Sequence, residues 1–302
     1  MVKYLHPKED FGAKFHKRAE KLFESKRLRI VIFLTFVMML VEGVGGFITN
    51  SLALLSDAGH MLTHLFSLVI AYFAIKITSK PTTIHKTFGY YRAEIIAAFI
   101  NGITILLIVG FIFYEAVKKF IAPEPVAAKQ MFIIATAGLI VNLVSAFVLK
   151  DARKKDINVK GAFVHLLSDT FSSVAIVIGG IVILKTGFTL IDPILAAIIG
   201  FVILAWGISL VKESSNILMQ ATPKHINLEG VCKDIKKIKH VKDIHDAHIW
   251  ELSSNMYTMT GHIIAGNIKV KQCENILTKI NEMLNKKYKI GHTNFQFECE
   301  GK

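Results

Sequence analysis

Apolar and polar positions are segregated along this chain into long separate blocks. Residues 1–29 are polar and basic, six apolar stretches follow, and beyond Glu213 the pattern turns mixed and stays so to Lys302. The apolar stretches are Ile30–Thr49, Leu52–Ile77, Ala93–Val117, Met131–Leu149, Ala162–Leu184 and Pro193–Val211. A helix needs ~20 apolar residues to cross the hydrocarbon core of a bilayer, and each stretch approaches or exceeds that length. The pattern predicts six transmembrane helices over 30–213, a tail at 1–29 and a second domain at 214–302. The tail's charged start is too long for a secretory signal. Within it Phe15, Ala19, Leu22 and Phe23 recur at helical spacing, which fits either a helix on the membrane surface or a solvated tail.

The second domain has its own periodicities. Leu228–Ile238 and Gln272–Tyr288 have helical spacing. Val241–Leu252, Tyr257–Ile268 and Thr293–Cys299 alternate or are rich in β-branched residues, with Ser253, Ser254 and Asn255 as a turn. The order αββαβ predicts a small open α+β sandwich, one antiparallel sheet covered by two helices.

Composition agrees with this division. The 302 residues are 52% hydrophobic, yet carry 36 Lys+Arg against 23 Asp+Glu, a net charge of +13. A mean hydropathy of +0.47 is too high for a single soluble domain of this size. Nucleic-acid binding would explain the charge but not the apolar excess. With 20 Gly, 6 Pro and 3 Cys, collagen-like, disordered and disulfide-rich classes are excluded. The charge instead sets topology. Connections that face inward if the N-terminus is inside hold nine, four and five basic residues, and the outward ones none, three and one. That asymmetry predicts six spans with both termini cytoplasmic. Cys232, Cys273 and Cys299 then lie in a reducing compartment, where no disulfide is expected.

Ionisable residues inside a membrane span mark a transport path or ligand site by default. In the second span Asp57, His60 and His64 sit at i, i+3 and i+7; in the fifth, His165 and Asp169 sit at i and i+4. Each set occupies one helix face. A lone membrane histidine is most often a packing residue, but two pairs on separate helices can build a four-coordinate site. Imidazole nitrogen and carboxylate oxygen suit Zn²⁺ and its first-row neighbours, whereas Mn²⁺ and Mg²⁺ want more oxygen. Asp57 is either an outer or alternative ligand or a helix–helix hydrogen-bonding residue. Glu42, near Gly43, Gly45 and Gly46, reads as packing or gating rather than ligation, and Asn50, Asn101 and Asn142 as interhelical hydrogen-bonding residues.

The segments NSLALLSDAGHMLTH, HKTFGYYRAE, HLLSD, the DPI at 192–194 and HDAHIW resemble the cation diffusion facilitators over nearly the whole chain, and their zinc-transporting branch in particular. The resemblance implies a six-span homodimer with a cytoplasmic metallochaperone-like, ferredoxin-like domain. It implies a transport site of His60, His64, His165 and Asp169, and a cytoplasmic metal site at His245, His262 and Glu298. The branch usually has Asp where this chain has His64. Three neutral imidazoles and one carboxylate would leave a loaded Zn²⁺ site at +1, so either Asp57 compensates or preference moves toward more nitrogen-loving metals. His85 alone remains of a second loop site found in some members, so that site is expected to be absent.

Imidazoles lose protons on binding metal and regain them on release. The expected function is therefore Zn²⁺/H⁺ antiport out of the cell by alternating access, in a prokaryotic cell membrane. Efflux of Co²⁺, Ni²⁺, Cd²⁺ or Fe²⁺ is the alternative, and a metal-gated channel or intramembrane metalloenzyme the reading from another class. The partners expected are divalent metals, protons, lipid and a second copy, with no prosthetic group and no nucleic acid. On the predicted strand Val241–Leu252, His245 and His248 cannot share a face without a twist or bulge. As a set, His245, His248, His262 and Glu298 read as a regulatory metal site drawing two domains together.

Overall fold

The computed structural model describes residues 26–78, 83–150 and 157–299. The tail through residue 25, with most of the proposed surface helix, and residues 151–156 of a basic connection lie outside them. Every apolar block is a helix: α1 (Lys26–Thr49), α2 (Leu52–Thr78), α3 (Arg92–Ile121), α4 (Ala128–Leu149), α5 (Ile157–Thr186) and α6 (Ile191–Leu218). Several run past their apolar limits, because charged flanking residues are good helix formers and can extend to headgroups. Helix α6 continues through Glu213 to Leu218. By length and composition, five of the six among the described residues are able to cross a membrane. The other, α2, has 27 residues and carries Asp57, His60 and His64.

The chain forms two compact bodies. The larger contains α1, α2, α4, α5 and most of α3 and α6; α1 packs on α2 and α4, and α5 on α2 and α4. Leu54, Val109, Met131, Ala135, Ile176 and Ile203 form its main apolar cluster. Its outer surface is also apolar, with Phe33, Phe47, Leu107, Phe147, Phe171 and Phe201 exposed, while Glu42, Asp57, His60, Asn142, Asp169 and Asp192 are buried. A water-soluble bundle distributes residues the other way, whereas an apolar rim around a partly polar interior suits lipid. The protein is an integral membrane protein.

Polar side chains join the helices. Asn101 Nδ2 donates to Ser67 Oγ at 2.6 Å, linking α3 to α2, and Asn142 Nδ2 donates to Ser173 Oγ at 3.1 Å, linking α4 to α5. Glu42 of α1 lies so close to α4 that a Cβ at Gly138 would overlap its Oε1. Gly46→Ala, whose Cβ would come within 2.7 Å of Leu55 Cγ and 3.0 Å of its backbone nitrogen, is expected to cost about 1–3 kcal/mol through overpacking, read as a lower melting temperature in detergent. Gly110→Ala, where a Cβ would meet nothing within 4 Å, should not destabilise.

The smaller body contains residues 83–96 and the chain from 212 onward. It holds α7 (Leu228–Lys236), β1 (Val241–Ser253), β2 (Met256–Ala265), α8 (Val270–Met283) and β3 (Ile290–Cys299), in sheet order β1-β2-β3. Ser254 and Asn255 close the β1–β2 hairpin, Asn255 with φ +62°. The expected wholly antiparallel sheet is corrected: β3 runs parallel to β2. The reason is the β2–α8–β3 crossover, in which the helix carries the chain back before the next strand begins. Val231 and Ile235 of α7, with Ile276 and Ile280 of α8, pack on Ile249, Met259 and Ile263 of the sheet. The Asn227 side chain accepts from Gly230 N at 3.1 Å and caps α7. Glu94, in the first turn of α3, accepts hydrogen bonds from the hydroxyls of Ser253 and Ser254 at the hairpin.

Candidate metal sites

In the larger body the ionisable face of α2 meets that of α5. His60 Nε2 lies 3.3 Å from Asp169 Oδ1. The His60 and His64 rings meet edge to face, their centroids 4.7 Å apart. Ser172 Oγ donates to Asp57 Oδ1 at 2.7 Å and lies 2.9 Å from the Asp169 carbonyl oxygen, tying Asp57 to the turn of α5 that carries Asp169. Asp57 and Asp169 are 0% and 1% exposed, so neither is solvated by bulk water. Asp57 Oδ2 and Glu42 Oε2 have no hydrogen-bond partner among the described residues. A buried cluster rich in carboxylate and imidazole is costly unless cations or protons offset its charge, so its chemistry suits a cation.

His165 belongs to α5 one turn before Asp169, and its side chain lies outside the described ones. Trp206 of α6 stands beside both rings. Its ring centroid lies 5.8 Å from that of His60 and 5.5 Å from that of His64, so it walls the site on the α6 side. A tryptophan in an apolar run gives no sign of which helix it will face.

In the smaller body the ligand atoms of His245, His262 and Glu298 all lie within 4.8 Å of one another. His245 and His262 are directly paired across β1 and β2. Glu298 of β3 reaches both, with Oε2 3.0 Å from His245 Nε2 and Oε1 3.0 Å from His262 Nδ1. The strand carries the required irregularity: the β1–β2 register shifts between His245 and His248, and Asp246 sits in the left-handed region at φ +48°. His248 does not enter the triad. It bonds Asp246 Oδ1 at 2.9 Å, and Asp246 Oδ2 lies 3.8 Å from His262 Nε2. Asp246 is thus a member of the cluster that strand alternation alone did not select. The hydrogen bond from His245 holds the Glu298 carboxyl below its ordinary range, and the bond to His248 does the same for Asp246.

The family profile described as the cation efflux transmembrane domain matches residues 28–219, and that of the cation efflux protein cytoplasmic domain matches 223–300. The chain is 38% identical over 277 residues to a cadmium, cobalt and zinc/H(+)-K(+) antiporter of Bacillus subtilis (strain 168), covering 89% of each protein. It is 37% identical over 279 residues to the zinc transporter ZitB of Pectobacterium atrosepticum, covering 91% of this chain and 86% of that one. It is 38% identical over 278 residues to the metal cation efflux system protein CzcD of Cupriavidus metallidurans, covering 91% and 88%. The chain belongs to the cation efflux, or cation diffusion facilitator, family, whose members are membrane transporters and not enzymes.

Proposed function

We propose that this protein exports Zn²⁺ in exchange for protons, by alternating access of a site made by His60 and His64 of α2 with His165 and Asp169 of α5. The observation that carries this reading is the approach of His60 to Asp169 between two helices of the bundle. The names of the Bacillus and Pectobacterium relatives support zinc, and that of the first supports proton exchange. Six spans over 30–213 and a cytoplasmic domain over 214–302 follow from the apolar blocks. The basic connections favour both termini inside, and the bacterial relatives a prokaryotic cell membrane. Two copies associate through the cytoplasmic domain. In proteoliposomes, Zn²⁺ accumulation should be accompanied by alkalinisation of the lumen. Zn²⁺ entry with no pH change would point instead to a channel or uniporter.

His245, His262 and Glu298 form a second, regulatory zinc site in this reading. Its pH dependence has a definite sign. Glu298 is depressed in the folded state, so the stability it contributes is present above the ordinary carboxylate range and lost only as pH falls through its lower folded value. Protons compete with zinc for its ligands, so zinc is released as pH falls. In calorimetry on the full chain with the transport site disabled by Asp169→Ala, Glu298→Gln should weaken zinc binding. Zinc affinity unchanged by Glu298→Gln would remove Glu298 from the site.

A further inference from the structure

Helix α2 carries three of the polar residues at the transport site, and its first turn is held by a carboxylate from another helix. Asp192, in the first turn of α6, is completely buried. Its Oδ1 accepts from Ser51 Oγ at 2.6 Å and from Ala53 N at 3.1 Å, and its Oδ2 accepts from Leu52 N at 2.7 Å. These donors are consecutive residues at the start of α2, where backbone N–H groups lack partners within the helix. Ser51 Oγ also accepts from Leu54 N at 3.3 Å, the ordinary local cap. Helix α2 is thus capped twice, once by its own serine and once by α6.

The turn that enters α2 is fixed as firmly. Asn50 has φ +53°, a left-handed conformation that lets α1 reverse into α2 with only Asn50 and Ser51 between them. The buried Lys119 of α3 donates through Nζ to Asn50 O at 2.6 Å and to Asn50 Oδ1 at 2.8 Å. Asn50 Nδ2 in turn donates to Glu124 Oε2 at 2.9 Å. Asp192 and Lys119 therefore grip adjacent residues from opposite charges, and each buried charge has hydrogen-bonding partners.

We propose that Asp192 is a positioning residue for the transport site. Three bonds to one rigid carboxylate fix both the axial height and the rotation of α2. His60 lies about 12 Å down the axis from Leu52 at the ordinary helical rise, so displacement of the first turn passes directly to His60 and His64. Their partner Asp169 is on α5, whereas the three hydrogen bonds of Asp192 run to the start of α2. Loss of the clasp therefore changes the distance between the two halves of the ligand set. The inference rests on the transport-site reading above.

The test is zinc flux in proteoliposomes of the full chain, normalised to monodisperse protein, for Asp192→Asn, Ser51→Ala and Ser51→Thr, beside Asp169→Ala. Asp192→Asn keeps the shape but offers an NH₂ group to backbone donors. It should raise the KM for Zn²⁺ about 10-fold with kcat held within about 2-fold, since small misplacements of positioned groups have large effects. Ser51→Ala, which removes one bond, should raise KM about 3-fold, and Ser51→Thr, which keeps the hydroxyl, should restore it. A lower melting temperature with unchanged KM in both Asp192→Asn and Ser51→Ala would make the clasp merely structural and overturn the proposal. If Asp192→Asn does not fold, Ser51→Ala against Ser51→Thr decides: equal KM values overturn the proposal. Normal transport by Asp169→Ala would instead remove the site reading on which the inference depends.

Discussion

Asp169→Ala is expected to abolish transport while leaving the helical bundle folded. Asp169 is the one carboxylate among the four proposed ligands, and it is almost wholly buried beside His60. Without it, Zn²⁺ would bind three neutral imidazoles and keep its full double charge in a low-dielectric interior, an arrangement far less favourable than in water. The loss should exceed the 10–100-fold, roughly, that follows removal of an outer partner in metal sites. Flux should therefore fall by at least about 100-fold, at every pH tested, with the melting temperature in detergent little changed. Asp57→Asn should fall less, because Asp57 is engaged by Ser172 and lies on the outer side of the ligand set in this reading. Flux in Asp169→Ala within a few-fold of the unmodified protein would place the metal elsewhere in the bundle.

Much of the architecture was legible because lipid imposes one demand along a whole segment. Helices α1 to α6 each announce themselves by an unbroken apolar block, and α2 and α5 by ionisable residues recurring at helical spacing inside such a block. Both signals are local. The direction of β3 is not local: alternation in residues 293–299 marks a strand but not which way it runs, and only the α8 crossover decides that. The bulge at Asp246 is similar. Its left-handed backbone brings Asp246 beside His248 and His262, and alternation shows the need for an irregularity without saying which residue supplies it. Trp206 and Asp192 illustrate the limit most clearly. Each lies in an apolar or motif-like context that gives it no partner, and each acquires its role from α2, about 140 residues away for Asp192.

His64→Asp should shift both the metal preference and the acid limit of transport. In the unmodified protein the proposed ligands are three imidazoles and one carboxylate, and a loaded Zn²⁺ site retains one positive charge. Substitution makes the loaded site neutral, which favours binding in a low-dielectric interior. It also replaces a nitrogen donor by oxygen, so Co²⁺ and Ni²⁺ should lose ground relative to Zn²⁺ in competition. Protons compete with metal at an imidazole from a higher pH than at a carboxylate. Metal binding by the variant, which keeps one more competent ligand, should therefore persist to lower pH than binding by the unmodified site. The substitution also removes the His64 ring that packs 5.5 Å from Trp206 and 4.7 Å from His60, so a modest drop in melting temperature should accompany the change. Competitive flux of Zn²⁺ against Co²⁺ from pH 5.5 to 8, measured on both proteins in parallel, separates these effects. An unaltered metal ratio and an unaltered pH profile would mean that position 64 does not touch the metal, and would leave Asp57 as the fourth ligand.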